Sequence, residues 1–321
     1  MKILLVGNHT CGNRGDGAIL RGLIDSIQAA RNDVDIDVIS RYPTSSGYLL
    51  QQHIQQDKLF LHNNSSGKGL IGSVKRKVAN RLMPNIMMAH LGKGGPYKSF
   101  SVPPHLKAFT ESLAQYDAVI QVGGSFFVDL YGVTQFDHAL CALLAKKPLY
   151  LIGHSVGPFQ NARTNQLANF VFDRVDRLIL RESVSLDLMK RDGVTSSKVM
   201  PGVDTAFLVR ARHVENPSHS LQHWQSVIRT RKTIAITVRE LAPFDKRLGV
   251  TQQEYEAAFG RVINAMIASG YQVVALSTCT GIDSYAKDDR MVALTLRDRV
   301  EQPEHYHVVM DEFNDLELGV L

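Results

Sequence analysis

The sequence predicts an α/β fold in which two doubly wound units of parallel sheet follow one another, the second of them incomplete. Three observations predict it. Short apolar runs (ILLV at 3–6, AVIQV at 118–122, LYLI at 149–152, LIL at 178–180) each end in glycine or polar residues. Segments with helical spacing separate these runs, so strand and helix alternate as in βαβ units. After a polar, His-rich stretch the alternation restarts at Thr233 with TIAITV.

The first unit opens with a strand at Ile3–Val6, too short and too β-branched for a helix. It breaks at Gly7 into a polar turn, Asn8 to Asp16, and Ala18, Ile19, Leu20, Leu23, Ile24 and Ile27 then recur at helical spacing. In doubly wound sheets ligands bind at the carboxyl ends of the strands, where helix N-termini offer N–H donors. The turn lacks the G-x-G-x-x-G spacing of a dinucleotide site, and no Gly-Lys-Ser/Thr follows to make a Walker A loop. Val34–Ser40 alternates like the second strand.

From Lys58 to Thr110 there is no Asp or Glu, yet nine Lys and Arg residues. Within that span Leu70, Ile71, Val74, Val78 and Leu82 form an apolar stripe opposite Lys75, Arg76, Lys77 and Arg81. A Gly/Pro-rich loop follows. Helices are expected at His105–Ala114, Gln135–Lys146, about Arg163–Asp173 and Ser183–Lys190, the last capped by Ser183. Strands are expected at Ala118–Val122, Leu149–Ile152, Arg177–Leu180 and Lys198–Met200. The first domain is therefore set at residues 1–209 with a basic insert at about 58–107, a linker at 210–231, and a partial second domain at 232–321. That second domain has strands at Thr233–Val238, Gln272–Ser277 and His307–Met310, which is thin for such a unit, so the sequence is expected to end inside it.

Apolar residues make up 44 % of the 321, as in a globular protein. No run approaches the ~18 apolar residues of a membrane span. The start has no signal-peptide h-region, which points to a cytoplasmic protein. Cys11, Cys141 and Cys279 are odd in number and match no zinc spacing, so reduced packing thiols are expected. A net charge of +5 suits anionic substrates or an anionic surface.

Six motifs, in this order and spacing, make the chain resemble the polysaccharide pyruvyl transferases, closest to those acting on exopolysaccharides of the colanic-acid and amylovoran type. They are GNHTCGNRGD at 7–16, QVGGSFFVD at 121–129, IGHSVGPF at 152–159, LRES at 180–183, GVDT at 202–205 and RELAPFDKR at 239–247. The resemblance implies a GT-B-like fold, with a cleft between two Rossmann-like halves. It implies a transferase that moves pyruvate from phosphoenolpyruvate onto a sugar, expected to be galactose, of a lipid-linked repeat unit. The product is a cyclic ketal, phosphate is released, and no metal or cofactor is required. The family's later Gly-Thr-Arg-Leu-His signature, whose Arg and His act on phosphoenolpyruvate, has no counterpart before Leu321.

Such chemistry calls for cationic clamps on the donor, an acid for carbon and a base for the hydroxyls. Arg181 at a strand end is the expected clamp for phosphate or carboxylate, or else one half of an ion pair. Arg239, with Lys246 and Arg247, either faces it across the cleft or is solvated surface. Asn8, Asn13, Gly15 and Asp16 either line the cleft with amides and an acid or form a tight, capped turn. Gly123, Gly124 and Ser125 either let backbone approach a ligand or serve close packing. Asp129 and His154 are base candidates, His154 alternatively a structural residue. Asp204 is a turn cap or a site residue, and Ser277, Thr278 and Asp283 are candidates for the donor phosphate. The basic insert either is a solvated face or meets anionic lipid at the inner membrane face through Lys75, Arg76, Lys77 and Arg81. Nucleic acid is not an expected partner. A glycosyltransferase with a nucleotide-sugar donor and a non-catalytic anion- or glycan-binding module are the alternatives.

Overall fold

The computed structural model describes residues 1–65, 78, 81–210, 212–242 and 245–321. The chain divides into two compact units. The first comprises Met1–Thr10, Ala18–Gly47 and Gln52–Arg210, and the second Cys11–Gly17, Tyr48–Gln51 and Ala211–Leu321.

The first unit holds a seven-stranded, wholly parallel sheet: β1 (Lys2–Asn8), β2 (Asp35–Ser40), β3 (Gln55–Gln56), β4 (Ala118–Phe127), β5 (Leu149–Val156), β6 (Arg177–Leu180) and β7 (Val199–Pro201). Their order is β3-β2-β1-β4-β5-β6-β7. The chain thus winds outward from β1 to one side, then returns to β4 and winds out the other way. The switch point lies between β1 and β4, where Val6 pairs with Gln121. Residues buried on both faces of a parallel sheet read as continuous apolar runs, which is how Ile3–Val6 and Ala118–Val122 read. Leu4, Val119, Leu151 and Leu178 pack with Phe127, Phe136, Leu140, Leu167 and Phe172 in one core.

The second unit has a three-stranded parallel sheet in the order β10-β9-β8, from β8 (Thr233–Ile236), β9 (Gln272–Ala275) and β10 (Tyr306–Val308). Ile263, Val273, Ala293, Leu296 and Tyr306 pack on one side, and Leu221, Trp224, Val274, Val309 and Phe313 on the other. The helix Gln252–Ala268 starts at a capping box in which Thr251 and Glu254 satisfy each other's orphan amides.

Four local expectations change. Residues 219–229, read as linker, are a helix capped by Ser218, because Leu221 and Trp224 share one apolar face and bury it. β4 runs on to Phe127, past the glycine pair at which its end was expected. Glu182, not Ser183, caps the helix Ser183–Arg191, accepting from the Ser185 amide. The helices Pro43–Leu50 and Lys58–Ser65 have weak periodicity and were not anticipated. Most of the basic stripe, including Lys75, Arg76 and Lys77, lies outside the described residues. Where the insert is described again, Arg81 is exposed, and Met87 and Met88 are in the core of the first unit. Among the described residues no helix is long and apolar enough to cross a membrane.

Candidate functional site

In the first unit the carboxyl ends of β4, β5, β6 and β7 converge on Arg181, the residue that follows β6. Its Nε donates to Ser155 Oγ at 2.7 Å, Nη1 to Asp204 Oδ2 at 2.6 Å and Nη2 to Ser125 Oγ at 2.8 Å. One residue from each of three neighbouring segments thus orients the guanidinium. Asp204 is itself fixed as a cap, accepting from the Ala206 amide at 2.9 Å. The Arg181 side chain is 20 % exposed. A guanidinium has five donors in a fixed fork, so those not used on these partners remain available to an anion on the open side. Of the two alternatives for Arg181, the ion pair is present, and the acid orients the fork. Ser125 and Asp204, two of the candidates from sequence, are brought to Arg181. Ser155 had not been singled out, although its place two residues after the Gly153 break put it at the same strand ends.

The glycines beside this cluster serve backbone packing. A Cβ on Gly123 would come within 2.3 Å of the Gly153 carbonyl oxygen, so the pair lets β4 and β5 approach. Gly124 has φ +141°, and a Cβ there would meet the Phe126 ring at 2.5 Å. Asn8 is buried and accepts from the Ser40 hydroxyl at 2.8 Å, tying β1 to β2.

The two base candidates of this unit have other engagements. Asp129 Oδ2 accepts from the backbone amides of Gln160 and Asn161, at 2.7 and 3.0 Å. His154 is fully buried, with Nε2 3.2 Å from the Gln121 carbonyl oxygen and its ring 5.0 Å from that of Phe127. That placement is the structural alternative for His154, since no atom of it reaches the surface. Burial, aided by the charge of Arg181, lowers its pKa to about 4. A histidine whose folded pKa lies below its unfolded value loses stability as pH falls from the unfolded pKa toward the folded one. His154→Gln removes this dependence. Relative to wild type, the variant should therefore gain on the order of 2 kcal/mol between pH 7 and pH 5, read as the difference of their urea-unfolding free energies.

In the second unit the opening turn joins the end of β9. Asn13 bridges to Cys279, the Arg14 amide donates to the Thr278 carbonyl at 2.8 Å, and Asn13 Oδ1 accepts from the Gly15 amide at 3.0 Å. Arg14 also forms an ion pair with Glu312. Asp16 lies in the first turn of the helix Arg14–Ala30, where the macrodipole favours a carboxylate. Thr278 Oγ1 donates to Asp289 Oδ2 at 3.1 Å, and the buried Ser277 hydroxyl makes no hydrogen bond among the described residues. Burial pushes the Asp289 carboxyl up, and Arg239 is among the groups that pull it back. Arg239 is exposed, Asp283 sits at φ +56°, and Lys246 falls in the short helix Asp245–Leu248.

The family profile described as polysaccharide pyruvyl transferase matches residues 13–317. The chain belongs to the polysaccharide pyruvyl transferase family. It is 70 % identical over 321 residues to the amylovoran biosynthesis protein AmsJ of Erwinia amylovora, covering all of this chain and 76 % of that protein. As a member of the pyruvyl transferase family it is an enzyme of the transferase class. Among solved structures it is similar to the S. aureus MnaA–UDP complex, with a TM-score of 0.53 and 12 % identity over 99 % of this chain and 70 % of that one. It is also similar to the UDP-GlcNAc 2-epimerase of Neisseria meningitidis bound to UDP-GlcNAc, with a TM-score of 0.50 and 14 % identity over 100 % and 75 % of the two chains. At such identities the likeness concerns the fold, which is GT-B-like. The pyruvyl transferase motifs at 121–129, 152–159, 180–183 and 202–205 are thus the sequence of one structural device, four strand ends gathered about Arg181.

Proposed function

We propose that the chain transfers the pyruvyl group of phosphoenolpyruvate to a sugar of an exopolysaccharide repeat unit, forming a cyclic ketal and releasing phosphate. Galactose is the proposed sugar, and the acceptor is proposed to be lipid-linked, presented at a membrane face. The observation that carries the reading is the preoriented fork of Arg181 within the family's own motifs. The name of the 70 % identical relative supports the exopolysaccharide context.

The donor is an enol bearing a carboxylate and a phosphate, so a fixed, permanently charged fork matches it better than a point charge. In the reaction a proton adds to the methylene carbon and C2 gains positive character. The two hydroxyl oxygens of the sugar bond to C2, and the C2–O bond to phosphate breaks. The two hydroxyl protons leave the acceptor, one balancing the proton added to carbon and the other carried off by phosphate. Arg181 holds the anionic donor while charge redistributes from the enol to the leaving phosphate. The Ser125 and Ser155 hydroxyls, already bonded to the guanidinium, keep it from swinging toward solvent.

The test is release of inorganic phosphate from phosphoenolpyruvate on adding an acceptor oligosaccharide, with the product examined by mass for the added pyruvyl group. Phosphate release that depends on acceptor is the expected result. Sugar transfer from a nucleotide sugar with release of the nucleotide, or turnover of phosphoenolpyruvate without product on the sugar, refutes the reading.

A further inference from the structure

A polar, partly open pocket of about 190 Å3 lies in the first unit beside the switch point between β1 and β4. That is far above the ~10–15 Å3 a single water occupies, and it is the scale of one sugar ring. Gly7 of β1 and Gln121 of β4 form its floor. Gly7 has φ +82°, and a Cβ there would meet Gln121 Cγ at 2.9 Å, so the glycine makes room for the Gln121 side chain. Gln121 is 3 % exposed and donates through Nε2 to the Gln135 carbonyl at 3.3 Å, but among the described residues its Oε1 accepts no hydrogen bond. A buried amide oxygen without a donor carries a desolvation penalty, which a ligand hydroxyl removes.

The walls carry two carboxylates, a guanidinium, a histidine and two further amides, Asn63 and Gln135. Arg41 donates to Gln135 Oε1 at 2.9 Å and lies 5.1 Å from the centre of the Phe60 ring. Asp57 caps the helix Lys58–Ser65 by accepting from the Phe60 amide at 3.0 Å. Its Oδ1 stands 3.3 Å from His138 Nε2, near enough for attraction but out of line for a hydrogen bond. Asp137 accepts from Asn63 at 3.3 Å, and burial pushes its carboxyl up to about 7. Arg41 is thus offset by Asp57, with Asp137 as a further acid, and the lining has no net positive field for a dianion. What it has is closely spaced donors and acceptors beside one aromatic face. That set suits hydroxyl groups, which both give and take hydrogen bonds, and the C–H face of a pyranose.

We propose that this cavity is a saccharide site: one neutral sugar ring sits on Phe60 with its hydroxyls bonded to Gln121, Gln135, Arg41, Asp57 and Asp137. The assignment of that sugar as the acceptor rests on the pyruvyl-transfer reading; the sugar binding does not.

The experiment is saturation-transfer difference NMR on the intact chain with methyl galactoside, methyl glucoside and methyl mannoside, and with inorganic phosphate as competitor. At least one glycoside should bind, phosphate should not displace it, and Gln121→Leu should weaken it at least tenfold. Arg41→Met, at a half-buried position, gives a second variant with the same expected loss should Gln121→Leu unfold. No binding by any of the three glycosides overturns the proposal. So does displacement by phosphate, or wild-type affinity in folded variants. Glycoside binding without phosphoenolpyruvate turnover refutes the transfer reading and leaves the saccharide site standing. Turnover in the absence of cavity-dependent binding does the reverse.

Discussion

Gly22→Ala will destabilise the protein by roughly 3 kcal/mol or more, the upper end of what overpacking does. The direction is the reverse of what helix propensity alone dictates. Gly22 lies inside the helix Arg14–Ala30, and alanine is the better helix former there by about 1 kcal/mol. A Cβ at that position, however, would stand 1.8 Å from the Thr205 carbonyl oxygen and 2.8 Å from its carbon. The approach is held by the Thr205 hydroxyl, which donates to the Ile19 carbonyl at 2.7 Å, and by the Arg210 amide, which donates to Asp25 at 3.1 Å. Backbone meets backbone, so no flexible side chain can turn aside. Thr205 follows Asp204, so the same contact sets where the Arg181 partner sits. Urea unfolding reads the effect as a lower midpoint at unchanged slope. Gly319→Ala serves as the contrast: it is also helical and has nothing within 4 Å, so it should be neutral or mildly stabilising. A Gly22→Ala protein as stable as wild type would show that the loop after β7 yields freely.

Arg181→Lys should weaken phosphoenolpyruvate binding roughly thirtyfold and lower kcat/KM by at least as much. Hydrogen bonds to charged groups are worth about 1.5–3 kcal/mol each, and thirtyfold corresponds to about 2 kcal/mol. Lysine keeps the charge but not the fork, and it cannot meet Ser125, Ser155 and Asp204 at once while presenting paired donors to an anion. Fluorescence or calorimetric titration with phosphoenolpyruvate measures the first effect and phosphate release the second. Unchanged donor affinity in the lysine variant removes Arg181 from the role of clamp. The cavity at Gln121 provides an internal check, because glycoside binding there should be untouched by Arg181→Lys if the two sites are separate.

Much of the first unit was legible in the sequence because buried parallel strands need no partner to announce themselves. Ile3–Val6, Ala118–Val122 (but for Gln121) and Leu149–Ile152 are apolar, and each is broken by glycine or polar residues at the rim. Arg181 stood out because it follows such a strand directly, and Ser125 and Asp204 because they lie in glycine-bearing motifs near strand ends. The helix His219–Arg229 was harder to see. Its apolar positions, Leu221, Trp224, Val227 and Ile228, sit among His, Gln and Ser, and the surrounding polarity hid the periodicity. Gln121 was hidden differently: within an apolar run its amide reads as a strand interruption, not as the floor of a cavity.

Local chemistry decides a good deal about this chain. Alternating strand and helix patterns, the glycines at strand ends and the order of the motifs establish the α/β class, the parallel sheets and the pyruvyl transferase family. Those properties depend on residues near one another in sequence. The site does not. Only the tertiary fold brings Arg181 to Ser125, fifty-six residues away, and fixes the guanidinium with Asp204. Only burial turns His154 from a rim base into an interior ring, and only strand order sets Gln121 beside Asp57, Asp137 and Arg41. Side-chain pairing and desolvation are set by what arrives from elsewhere in the chain, and neither is encoded at the position that feels them.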